Sequence, residues 1–138
     1  MKKKWPIRTL LVLLCLVMLC DIPAYAAETR ASDRIYHSAA SLSQKSNGDF
    51  SIYFSVRATG IMEKIGASSV AVQRNLGSGW VTEYTFTVSN TPTLQAENKN
   101  QHSAVLTYSP LFAGIEYRAV VMIYVEDATG TSTQQLIG

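Results

Sequence analysis

"SPLFAGIEYRAVVMIYVEDATGTSTQ", Ser109 to Gln134, is the stretch on which the fold reading turns. From Glu116 to Glu126 almost every residue is apolar, which suits a membrane segment, a buried strand or an adhesive surface. In a strand, successive side chains point to opposite faces. Tyr117, Ala119, Val121, Ile123 and Val125 then form one face, and Arg118, Val120, Met122, Tyr124 and Glu126 the other. A membrane barrel needs many such strands, and the chain offers one. The first face is therefore read as core. The second is read as the outer side of a central strand, partly covered by its neighbours. A sharper reading makes Val120, Met122 and Tyr124 an exposed patch that docks a partner or a second copy of the chain.

Working outward, the strand signal persists. In "DFSIYFSVRATG" (49–60), Phe50, Ile52, Phe54, Val56 and Ala58 alternate with Ser51, Tyr53, Ser55 and Arg57, after an Asn47-Gly48 turn. "RIYHSAASL", "SSVAVQR", "WVTEYTFTV", "HSAVLTY", "EYRAVVMIYVE" and "TSTQQL" complete a set of about seven strands. Asn75 to Gly79 reads as a hairpin loop, and Asp127-Ala128-Thr129-Gly130 as a turn. "GIMEKIGASS" reads as a connector between sheets, with Ile61 to Ile65 as one helical turn. Ser89 to Ser103 reads as a long polar loop. The expected fold is an all-β antiparallel sandwich.

The chain opens "MKKKWPIRTLLVLLCLVMLCDIPAYAAETR". Lysines and Arg8 precede an apolar run from Leu10 to Cys20, and Ala24 and Ala26 stand at the −3 and −1 positions of a cleavage site after Ala26. Residues 1–26 are thus read as a signal-peptide helix, and residues 27–138 as a single secreted domain. The apolar run is shorter than the roughly 18–20 residues of a spanning helix, so no membrane span is expected after cleavage. Met18 and Leu19 are too large for the small residues that precede a lipoprotein cysteine. Cleavage removes both cysteines, Cys15 and Cys20, leaving no disulfide. It also removes Lys2, Lys3, Lys4, Arg8 and Asp21, so the formal charge of +2 becomes about −1. No general attraction to nucleic acid follows. The end at Gly138, without a sorting motif, points to release or non-covalent retention at a wall.

Leu111, Gly114 and Tyr117 stand at −6, −3 and 0 before the apolar strand. This spacing resembles the tyrosine corner of immunoglobulin-like and fibronectin type III-like domains. The resemblance implies a Tyr117 hydroxyl bonded to a carbonyl near Leu111, with Gly114 at the bend. Ala113 stands where proline is usual, and no second-strand tryptophan is present. Over about Asp33 to Gln135, "GIMEKIGASSVAVQR", Trp80, His102, "GIEYRAVV" and the last Gly-Thr turn resemble a family of small secreted Gram-positive proteins. That likeness implies an exported β-sandwich and carries over no catalytic residues.

Chemistry is sparse in the pattern. His37 and His102 are each followed by serine, and neither stands at metal-ligand spacing. Glu126 and Asp127 are too few for calcium. No nucleophile elbow is found, so no cofactor, metal or catalytic residue is assigned. Trp80, Tyr84 and Phe86 on one strand face offer a glycan platform, with Trp80 as a core anchor the stronger reading; Glu63 and Lys64 fall in the connector. The function expected is a non-enzymatic extracellular binding or surface-interaction module for a protein or cell-wall glycan, with self-association open. A carbohydrate-binding module and a small enzyme inhibitor are the rivals.

Overall fold

The computed structural model describes residues 33–138; the expected signal helix, with Ala24 and Ala26, lies outside the described residues. The described chain is all-β, one antiparallel sheet of six strands curled into a half-barrel. The strands are β1 (Ile35–Gln44), β2 (Phe50–Asn75), β3 (Trp80–Thr87), β4 (Gln95–Tyr108), β5 (Tyr117–Asp127) and β6 (Gly130–Ile137).

Strand β2 organises everything else. It runs 26 residues without a break. Its first half pairs with β1 on one edge (Ala40↔Phe54) and β4 on the other (Phe54↔Ala104). Its second half pairs with β5 (Val70↔Val121) and β3 (Val70↔Phe86), and β6 flanks β5. Two expected strands are therefore one, and six replace about seven. The two faces of the expected sandwich are halves of a single sheet. "GIMEKIGASS" is no connector, and Ile61–Ile65 is no helical turn. β2 shifts register against β4 between Arg57 and Met62, where four of its residues stand opposite Asn100 alone. Such an excess bends a strand and lets it serve both halves of a curled sheet.

The bend preserves burial. Phe50, Ile52, Phe54, Val56 and Ala58 line the core from even positions, Ile65 and Ala67 from odd ones. A bulge at Ser68, whose hydroxyl donates to the Met122 carbonyl, returns Val70 and Val72 to the core. Tyr117, Ala119, Val121, Ile123 and Val125 complete it from β5. The long-loop reading of Ser89 to Ser103 is also corrected. Only the turn before Gln95 lies outside strand, with a 3-10 turn at Pro92–Leu94 that buries Leu94. The polar run becomes strand because β4 is an edge strand whose Glu97 to Gln101 side chains are solvent-exposed.

The β5–β6 hairpin is fastened to the start of β1. Asp127 Oδ1 accepts from the Thr129 hydroxyl (2.6 Å), the Thr129 N–H (2.8 Å) and the Gly130 N–H (3.0 Å). Asp127 Oδ2 accepts from Arg34 Nε at 2.8 Å. The Thr129 hydroxyl, then Arg34, then the Thr129 N–H hold this carboxyl well below the usual range. A depressed folded pKa gives stability that is present above the unfolded value and lost as pH falls through the folded one. The urea midpoint is expected to drop below about pH 4, and less steeply in Asp127→Asn. Equal acid slopes in equilibrium unfolding would contradict this assignment.

Candidate functional site

The outer face of the first half carries the most open polar chemistry. Cross-strand register builds it in rows: His37–Arg57–Gln101, then Ala39–Ser55–Ser103, then Ser41–Tyr53–Val105. These are the non-core positions of an alternating strand and its two neighbours, so the sequence of β2 places Tyr53, Ser55 and Arg57 together. With Lys99 they line a groove of about 620 Å³. Among the described residues, Arg34 and Lys64 have carboxylate partners, whereas Arg57 and Lys99 have none. No carboxylate lines the groove. It presents cationic and neutral donors, hydroxyls and the face of Tyr53. That set can hold an acceptor-rich ligand. The sequence reading missed Arg57, Lys99 and Gln101, because only the pairing of β2 with β4 joins residues more than 40 positions apart.

Both histidines line the groove, but they differ in their contacts. His37 stands in the first row of the groove. His102 pairs with Val56 on the core side, its Nε2 lying 2.7 Å from the Thr93 carbonyl and its ring 6.0 Å from Phe54. It ties the 3-10 turn to β4.

Val120, Met122 and Tyr124 lie on the outer face of the second half, and all three are half-buried. Their cross-strand neighbours are Ala71, Ser69 and Gly66 on β2 and Ile137, Gln135 and Thr133 on β6. The Tyr124 hydroxyl donates to Glu126, which also lies 3.7 Å from Lys64 Nζ.

Trp80 and Tyr84 do not share a face. β3 carries a bulge at Glu83, with Gln73↔Thr82 but Val72↔Tyr84. The extra residue reverses the alternation. Trp80, opposite Asn75, falls on the outer face, where the Arg118 guanidinium lies 4.3 Å from its ring and Arg118 Nε donates to Gln73 at 2.8 Å. Tyr84 and Phe86 fall on the Val70–Val72 side and cluster with Tyr108. The one-face platform and the inward Trp80 anchor are both corrected by this single residue.

At the end of the half-barrel, the Tyr117 hydroxyl lies 3.3 Å from the Phe112 N–H and 3.4 Å from the Phe112 carbonyl, one residue beyond Leu111. Gly114 has φ +73°, and Leu111 is solvent-exposed. Nearby, the Glu83 carboxylate and Arg74 Nε are buried beside the Tyr108 and Tyr117 hydroxyls, and Arg74 lies 4.3 Å from the Phe112 ring. Burial first, and then the Glu83 charge, pushes the Tyr108 hydroxyl up to about 12. The folded state therefore keeps this proton longer than the unfolded chain. The resulting stability is whole below 10.0 and is lost as pH rises toward about 12. Alkaline unfolding followed by circular dichroism should show that loss, reduced in Tyr108→Phe; an unchanged slope would count against it.

Among the described residues no group of three or more His, Cys, Asp or Glu side chains could hold a metal ion, and no helix is long and apolar enough to cross a membrane. No family model, no curated protein and no solved structure matches the chain.

Proposed function

We propose that the protein is a secreted, non-enzymatic β-domain that acts as an extracellular binding or surface-interaction module. One observation carries this reading: three strands converge on a groove whose cations, Arg57 and Lys99, have no carboxylate partner among the described residues. Groups left free at an exposed surface are available to a ligand. Secretion rests on the N-terminal sequence. The finer topology, immunoglobulin-like or fibronectin type III-like, and kinship with small secreted Gram-positive proteins belong to the same proposal. The Tyr117–Phe112 contact and the φ of Gly114 support it. A second reading places docking on Val120, Met122 and Tyr124, because these apolar groups line one outer face.

The test uses the chain from Ala27 to Gly138, which holds all six strands, on envelope fractions separated into protein and glycan. Retention lost in Arg57→Gln/Lys99→Gln supports the groove. Retention lost only in Met122→Ser/Tyr124→Ser moves the function to the β5 face, and loss only in Trp80→Ala moves it to Trp80. Retention by neither fraction overturns binding to the envelope.

A further inference from the structure

We infer that the groove across β1, β2 and β4 takes an anionic glycan, a sugar chain bearing carboxylate or phosphate groups; this rests on the binding-module reading above. Its charge has one sign. Arg57 and Lys99 face it without a carboxylate partner, His37 stands directly opposite Arg57, and no Asp or Glu lines it. Four other cations of the described chain are engaged with polar groups, Arg34 with Asp127, Lys64 with Glu126, Arg118 with Gln73 and Lys45 with Thr107, and Arg74 is packed against the Phe112 ring, away from the groove. A guanidinium left free can take a carboxylate or phosphate through two parallel hydrogen bonds.

The remainder of the lining suits sugar. Ser55, Ser103 and Gln101 supply short donors and acceptors in adjacent rows. Tyr53 is 40 % exposed; Tyr36, outside the lining but with its ring 6.0 Å from the Arg57 guanidinium, is 72 % exposed. Both offer flat apolar faces to a pyranose ring. From the His37 row to the Tyr53 row is four residues along each strand, roughly 13 Å, and the three strands span roughly 10 Å. That footprint fits an oligosaccharide better than a single ion. Nucleic acid is disfavoured by the small number of cations, since its affinity comes from neutralising many phosphates. A protein partner is disfavoured because the centre of the groove holds hydroxyls rather than an apolar anchor.

Calorimetric titration of the Ala27–Gly138 chain with polygalacturonate, phosphomannan and uncharged dextran decides the matter. Binding to polygalacturonate or phosphomannan, weakened by salt and absent for dextran, is the expected result, and the two anionic probes separate carboxylate from phosphate recognition. Affinity should fall at least about tenfold in Arg57→Gln/Lys99→Gln, as expected for losing a charge-assisted hydrogen bond. Both side chains are exposed and lack a carboxylate partner among the described residues, so the thermal midpoint of this variant should hold. Equal binding to dextran, or full affinity in the double variant, overturns the inference. Silence toward all three probes, with envelope retention intact, overturns the anionic ligand and leaves the binding module standing.

Discussion

Gly66→Ala is expected to cost at least about 3 kcal/mol and to leave much of the protein unfolded at ambient temperature. Gly66 sits where the two halves of the sheet meet, paired with Gln95 on β4 and Tyr124 on β5. Its φ is +149°, a conformation that side chains with a Cβ rarely adopt. A Cβ there would lie 2.0 Å from the Leu94 carbonyl oxygen and 2.9 Å from Gln95 Cα. Both obstacles are backbone, and Leu94 is itself held in the core. Neither strand can yield without breaking the pairing that defines the bend. Gly48 provides the control: its φ is +91°, but nothing lies within 4 Å of a Cβ, so alanine there adds strain without a clash. Urea unfolding should rank Gly66→Ala far below Gly48→Ala. Similar midpoints would mean that β4 does not cross β2 so closely.

Phe54→Ala is the second large effect, about 3–5 kcal/mol. Phe54 is fully buried in the first half of β2, flanked in the sheet by β1 on one side and β4 on the other. Its direct cross-strand neighbours are Ala40 and Ala104. The large ring fills space that two small side chains leave, so no neighbour can move in once it is removed. A single domain typically holds about 5–15 kcal/mol in all, so this one truncation should lower the urea midpoint severely. Val105→Ala, on the same β4 but 62 % exposed, should change stability by no more than about 0.5 kcal/mol. Comparable losses at both positions would place the core elsewhere.

These residues also mark what could be read from sequence and what could not. The alternation from Phe50 to Ala58 and from Tyr117 to Val125 is local and survives in the structure unchanged, as does the two-residue turn after Asp127. Three features broke the reading. The bend at Ala58–Ile61 has the composition of a connector, yet the chain stays extended through it: Ala58 pairs with Ile35, the Thr59 N–H donates to the Arg34 carbonyl, and pairing with β4 resumes at Met62. The bulges at Ser68 and Glu83 each shift the alternation by one residue, and their sequences give no sign of it. The first half of β4, Gln95 to Gln101, looks like a loop because an edge strand with exposed side chains needs no apolar alternation; its strand character comes from pairing with β2, whereas the half from His102 reads as strand. The groove was hidden for the same reason. His37, Arg57 and Gln101 form a row only through register between distant segments, which no single-sequence period records.

The central claim is that this row, with Tyr53, Ser55 and Lys99, is the surface that meets the ligand. Amide chemical-shift mapping of the isotopically labelled Ala27–Gly138 chain, titrated with the retained envelope fraction, tests it most directly. The account predicts perturbations concentrated at His37, Tyr53, Ser55, Arg57, Lys99, Gln101 and Ser103, with Trp80 and the Val120–Tyr124 face unmoved. Perturbations centred on Trp80, or on Val120, Met122 and Tyr124, with the groove silent, would contradict it.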